Sequence, residues 1–110
     1  MLDKLREYGC EVDEALERFV DDEQFYRECY KVFFSGDSLK QLGAALDKGD
    51  IEAAFICSHT MKGTVGNLGL TTLYDQLVLI VEPLREGKMD GVMLAYEMLC
   101  TEWEKFSILA

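Results

Sequence analysis

The chain has 110 residues, 49% of them hydrophobic, and a formal net charge of −10 at pH 7. This length allows one domain with a hydrophobic core, so we predict a single domain over residues 1–110. The negative charge argues against nucleic acid or an anionic membrane as a partner. The N-terminus lacks the apolar core of a signal peptide, and no apolar stretch is long enough to span a bilayer. We therefore expect a soluble cytoplasmic protein.

The four cysteines are widely spaced and form no C-x-x-C pair. In a chain without a secretion signal this pattern favours free thiols over disulfides. Cys57 and His59 are two positions apart, so they point away from each other on a helix, and the chain has no second histidine. We predict no metal site.

Apolar residues recur at helical spacing from the N-terminus onward. Residues 1–10 are predicted to form a short helical arm. We expect this arm to contribute little to the core, through Leu2 and Leu5 alone. A short helix follows from Val12, with Leu16 and Phe19 on the same face. It stops at Asp21-Asp22, where an acidic side chain can cap the next helix.

The next predicted helix, residues 23–34, has an apolar stripe wide enough to contact more than one neighbouring helix. Gly36 suits the left-handed position after a helix, and Asp37 or Ser38 suits the cap of the next one. The predicted stripe has Phe25, Cys29, Val32 and Phe33 on one side, with Tyr26, Tyr30 and Phe34 beside it.

A third helix is predicted over residues 39–48 and a fourth over residues 51–68. Gly49-Asp50 separates them and repeats the pattern of a glycine that ends one helix and an aspartate that can cap the next. The fourth helix repeats its inward residues at steps of three and four, as in a helix packed nearly parallel to its neighbours. The inward residues are Leu39, Leu42 and Leu46 in the third helix, and Ile51, Ala54, Ser58, Met61, Val65 and Leu68 in the fourth.

Gly69 ends the fourth helix, Thr71 or Thr72 can cap the fifth, and Asp90 begins the last. Pro83 lacks a backbone N–H, so we expect a kink or a loosened last turn there. The inner faces are Leu73, Leu77, Ile80, Val81 and Leu84, then Val92, Tyr96, Leu99, Trp103 and Phe106. With no strand pattern and short connections, we predict an all-α fold, an antiparallel up-down-up-down four-helix bundle with short N-terminal covering helices.

The fourth helix carries the only histidine, within the run S-H-T-M-K-G-T-V-G-N-L-G-L from Ser58 to Leu70. His59, Lys62, Gly63 and Gly66 share one flank of this helix, beside its inward seam. Each glycine inside a helix costs about 0.5 to 1 kcal/mol relative to alanine, so a bare face here indicates function. We expect His59 to be partly exposed.

This run resembles the active-site signature of histidine-containing phosphotransfer (HPt) domains, H-x-x-K-G followed by small residues and then leucine and glycine. The upstream segment 12–19, with Asp22, Glu23 and Tyr26, is similar to the entry helices of the family. The resemblance therefore covers nearly the whole chain.

The resemblance implies a phosphorelay carrier without kinase activity of its own. His59 would accept a phosphoryl group from an aspartyl phosphate on a receiver domain and pass it to another receiver. Lys62 would stabilise the phosphoryl charge, and Thr60, Gly63 and Gly66 would contact the partner. The expected partners are response-regulator receiver domains and a hybrid sensor kinase. We expect a monomer with no cofactor, with magnesium on the receiver.

The sequence departs from the family at one position on the helix after the histidine. Many members carry there a polar residue that can orient the imidazole ring, whereas this chain has Val81. Gln76 and Glu82 are nearby in sequence but do not match the position. Arg85, one helical turn later, could reach the edge of the site.

Other interpretations of these residues remain open. His59 could be an ordinary surface histidine, and Gly66 could serve close helix packing rather than a partner. The domain could also be an interaction module that binds a receiver-like partner without phosphorylation, which would not require His59. A third possibility is the phosphoacceptor domain of a chemotaxis-type kinase, which uses a similar H-x-x-K-G.

Overall fold

The helices of the bundle follow the predicted order. A computed structural model describes all 110 residues and contains no strand, which confirms the all-α prediction. The seven helices are α1 (Leu2–Glu7), α2 (Val12–Arg18), α3 (Glu23–Ser35), α4 (Ser38–Asp47), α5 (Ile51–Asn67), α6 (Thr71–Arg85) and α7 (Val92–Ser107).

Helix α5 lies at the centre of the packing. It contacts α4 on one side and α6 on the other, α6 packs against α7, and α4 also reaches α7. The short connections between these helices turn the chain back on itself, so successive helices are antiparallel neighbours. The predicted four-helix bundle is therefore formed by α4 to α7.

The inward seam of α5 is the predicted one. Ala54, Ser58, Met61 and Val65 are all buried. Ser58 is the only buried polar residue, and its hydroxyl donates a hydrogen bond to the carbonyl oxygen of Ala54 at 2.8 Å. Because that bond satisfies the hydroxyl, the seam accepts a serine without leaving an unpaired polar group in the core.

The N-terminal helices contribute more to the core than the sequence indicated. Leu2 is 5% exposed and Leu5 is 0% exposed, so the prediction of a small contribution was wrong. Both leucines lie on one face of the short helix α1, and both join the single hydrophobic core. A two-turn helix can bury both of them because the bundle provides an apolar surface that the local sequence does not reveal.

Helix α3 buries the edge of its stripe that carries the tyrosines. Tyr26 and Tyr30 are fully buried, whereas Phe25 and Val32 are 51% and 71% exposed. The tyrosine hydroxyls donate hydrogen bonds of 2.6 Å to the carbonyl oxygens of Leu68 and Phe106, at the ends of α5 and α7. Because the apolar stripe is so wide, the sequence does not determine which side of it is buried. The two hydrogen bonds stabilise the arrangement in which the tyrosines are inside.

Two of the predicted caps are present. The carboxylate of Asp22 accepts from the backbone N–H of Phe25 at 3.0 Å, and that of Asp50 accepts from Ala53 at 3.1 Å. Asp50 thereby fixes the start of α5, the helix that carries the histidine.

Other helix ends differ from the sequence prediction. Gly36 is extended, with φ −78° and ψ −178°, rather than left-handed. Asp37 occupies the cap position of α4, but its carboxylate accepts from the side chain of Gln41 rather than from a backbone N–H. The chain therefore passes from α3 into α4 without the left-handed turn that a glycine usually provides there.

The starts of α6 and α7 also differ. Neither Thr71 nor Thr72 caps α6, because Leu70 holds the cap position and no side chain bonds there. Helix α7 begins at Val92 after a left-handed Gly91, with φ 74°, and not at Asp90. Helix α6 continues through Pro83 to Arg85.

Candidate functional site

The outer surface of α5 carries the predicted site. His59, Thr60 and Gly63 are exposed, and Lys62 is half-buried at the side facing α6. The side-chain hydrogen bonds of this turn belong to Ser58 and Thr60, whose hydroxyls donate to carbonyl oxygens within α5. None involves the imidazole of His59, so both of its nitrogens are free for chemistry.

An aromatic ring lies against the histidine. Phe55, one helical turn earlier on the same face, is half-buried, and its ring centroid is 5.5 Å from that of His59 at an interplanar angle of 39°. The sequence analysis missed this contact, although the spacing of four residues between the two rings is a signal for it.

Lys62 carries a positive charge that no carboxylate neutralises. It takes part in none of the ion pairs of the structure. Its ammonium nitrogen lies 5.9 Å from the ring centroid of Tyr74 on α6. The charge is therefore held at the surface by an aromatic face and is available to an anion near His59.

The two glycines of the motif have different surroundings. A Cβ added at Gly63 would meet no atom within 4 Å, so Gly63 leaves an open surface next to His59. A Cβ at Gly66 would approach the ring of Tyr74 to 3.3 Å. Close packing against Tyr74 thus explains a glycine at position 66. No packing contact within the chain requires a glycine at position 63.

Thr60 lies on the other side of the exposed face. Its hydroxyl donates to the carbonyl oxygen of Ile56 at 2.9 Å, and both residues border a groove of about 540 Å³ between α4 and α5. Ile56 is 57% exposed and lies one turn before His59. The histidine therefore has an apolar, exposed neighbour on the outer side of the helix.

At the position where many HPt domains have a polar side chain, this chain has a buried apolar residue. Val81 is fully buried, so it presents no group to the imidazole. Glu82 forms an ion pair of 3.4 Å with Arg85. The guanidinium carbon of Arg85 lies 5.1 Å from the ring centroid of Phe55, so Arg85 reaches the edge of the site through an aromatic ring.

Cys57 faces away from the histidine. Its thiol donates to the carbonyl oxygen of Ser38 on α4 at 3.5 Å, and burial raises the pKa of the thiol above its usual value. A protonated thiol is a poor nucleophile and a poor metal ligand. No three histidine, cysteine or acidic side chains come together in an arrangement that could hold a metal ion.

Comparisons with known proteins bear on the same segment. A family model described as the Hpt domain matches residues 32–105. This range includes α4, α5 and α6, all of α7 except its last two residues, and the whole of the site. No curated protein and no solved structure shows significant similarity to the chain. None of the seven helices is both long and apolar enough to cross a membrane. On the family match, together with the bundle and the exposed histidine at its centre, the chain belongs to the Hpt domain family, whose members act in two-component phosphorelays.

Proposed function

We propose that this protein is a phosphoryl carrier in which His59 accepts a phosphoryl group from the aspartyl phosphate of one receiver domain and passes it to the aspartate of another. The observation that carries the proposal is the grouping of an exposed imidazole, an unpaired ammonium group at Lys62 and an open surface at Gly63 on one helix.

The chemistry needs little from the protein besides the imidazole. A neutral imidazole nitrogen attacks phosphorus through its lone pair, and a phosphorus–nitrogen bond forms as the bond between phosphorus and the aspartyl oxygen breaks. The aspartate leaves as a carboxylate and keeps the bonding electron pair. The reverse steps deliver the phosphoryl group to a second receiver. A neutral imidazole attacks with a lone pair that is already free, so the step needs no separate base.

Lys62 neutralises charge during transfer. It follows His59 by three residues, so the two side chains leave neighbouring points on the surface of α5. The flexible stem of a lysine allows the ammonium group to leave the Tyr74 ring and contact the phosphoryl oxygens. A charge-assisted hydrogen bond of this kind stabilises both the transition state and phosphohistidine.

Gly63 gives the partner access. The aspartyl phosphate of a receiver has to come within bonding distance of a nitrogen on a helix surface, and a side chain at Gly63 would stand in that path. Ile56 and Thr60 border the same approach and would contact the receiver. The magnesium ion that assists transfer would belong to the receiver, and this chain would act as a monomer in the cytoplasm without kinase activity of its own.

The test is transfer of labelled phosphate from a phosphorylated receiver domain to the purified protein, under conditions that preserve acid-labile phosphohistidine. We expect label on the wild type and none on His59→Gln. A folded wild-type protein that binds a receiver but takes up no label would refute the carrier role and leave an interaction module.

A further inference from the structure

We propose that Phe55 is the positioning residue of the histidine, taking the place of the polar side chain that position 81 lacks, and that Arg85 and Glu82 hold Phe55 in place. This inference rests on the proposed function, since it concerns how the imidazole is presented for transfer. It follows from three successive contacts that link α6 to His59.

The first contact is between the two rings on α5. The Phe55 and His59 centroids are 5.5 Å apart with the planes tilted by 39°, which lies within the range of favourable aromatic pairs. The imidazole has no hydrogen bond to the chain, and Val81 is buried and apolar. Phe55 is therefore the side chain that restricts the orientation of the imidazole ring.

The second and third contacts come from α6. The guanidinium group of Arg85 lies over the Phe55 ring at 5.1 Å, and its Nε is 3.4 Å from a carboxylate oxygen of Glu82. A guanidinium plane over an aromatic face is a favourable cation–π arrangement. Glu82 limits the freedom of Arg85, and Arg85 in turn limits the freedom of the Phe55 ring.

An oriented imidazole matters because in-line attack on phosphorus requires one ring nitrogen to point at the incoming phosphoryl group. On a helix a free histidine has about two accessible χ1 wells, and within each well χ2 has about two orientations, which gives about four conformations in all. If one of these is productive, release of the ring lowers the reactive population about fourfold. Phe55 therefore contributes to the rate without touching the reacting atoms.

The decisive measurement is the χ1 distribution of His59, read from three-bond couplings between its side chain and backbone in the unphosphorylated protein. We expect one dominant rotamer in the wild type and in Phe55→Tyr, and averaged couplings in Phe55→Leu. Arg85→Met, which keeps an apolar stem and removes the charge, should give partial averaging. A single rotamer that persists in Phe55→Leu would overturn the proposal.

A second measurement follows the rate of phosphorylation by phosphoramidate, a small donor whose phosphorus–nitrogen bond breaks as the imidazole takes the phosphoryl group and ammonia leaves. We expect Phe55→Leu to react about fourfold more slowly with phosphoramidate and with a phosphorylated receiver, and Phe55→Tyr to restore the rate. A loss confined to the receiver would make Phe55 a partner contact and overturn the positioning role.

The matched control is Phe25→Leu, which removes the ring of an exposed phenylalanine on α3 that packs against Phe19. It should leave both the His59 couplings and the two rates unchanged. The coupling data do not depend on transfer from a receiver. Failure of the carrier role, seen as no receiver-dependent label on wild type, is therefore distinguishable from failure of the positioning role.

Discussion

Replacement of Gly63 should make the protein more stable and less able to exchange phosphate. Gly63 lies inside α5, and an added Cβ would meet no atom within 4 Å. Gly63→Ala should therefore raise the free energy of unfolding by about 0.5 to 1 kcal/mol, the usual advantage of alanine over glycine in a helix. For a domain of this size the gain corresponds to a rise in Tm of about 2 to 4 °C.

Transfer should change in the opposite direction. A longer neutral side chain, as in Gly63→Gln, would extend into the open surface beside His59 and keep the receiver at a distance. Because a misplacement of about 1 Å can cost about 100-fold in rate, we expect transfer from a phosphorylated receiver to fall by at least that factor. Phosphoramidate is small enough to pass the glutamine, so it should still label His59.

The assay pairs thermal unfolding, followed by far-ultraviolet circular dichroism, with label transfer at fixed receiver concentration. Gly66→Ala is the matched control on the same helix, because its Cβ would press on the Tyr74 ring at 3.3 Å and should gain less stability. Wild-type transfer rates in Gly63→Gln would refute the argument from access. A lower Tm for Gly63→Ala would refute the argument from open space.

Three further predictions concern single side chains. Lys62→Ala should slow receiver transfer about tenfold at unchanged Tm, because it removes one charge-assisted hydrogen bond and no ion pair; an unchanged transfer rate would exclude the charge role. Gly43→Ala should lower the free energy of unfolding by about 1 to 3 kcal/mol in a urea titration, because the added Cβ would overlap the Tyr96 hydroxyl; an unchanged urea midpoint would show that the tyrosine moves freely. Burial raises the pKa of Tyr30 above the ordinary value of 10.0, so the unfolded chain ionises first and stability should fall as pH rises past about 10. Urea midpoints between pH 7 and 11 should show a shallower decline for Tyr30→Phe, and an equal decline would assign the alkaline loss to other groups.

The helices of the bundle could be predicted because their signals are local. A repeat of three and four residues along α5 identifies its buried seam wherever the helix is placed, and Asp50 marks its start. The grouping of the candidate site residues was predictable for the same reason, since His59, Lys62 and Gly63 lie within two turns of one helix. Their shared face follows from helix geometry alone.

The buried side of α3 could not be predicted in the same way. Its stripe includes both Phe25 and Tyr26, and hydrophobicity alone favours the phenylalanine. The tyrosine is inside because its hydroxyl reaches the carbonyl oxygen of Leu68, a residue distant in sequence. The burial of Leu2 and Leu5 has a similar origin, since the apolar surface that receives them is assembled from the rest of the core.

The sequence alone determined which residues form helices, which face of α5 carries the histidine, and that the following helix has Val81 where many family members have a polar residue. Only the tertiary structure decided how those residues are supported. The positions of α5 and α6 bring Tyr74 against Gly66 and Lys62, and bring Arg85 over the Phe55 ring beside His59. Periodicity within one helix reports which side faces inward, but the distance and register between two helices depend on the packing of the whole core.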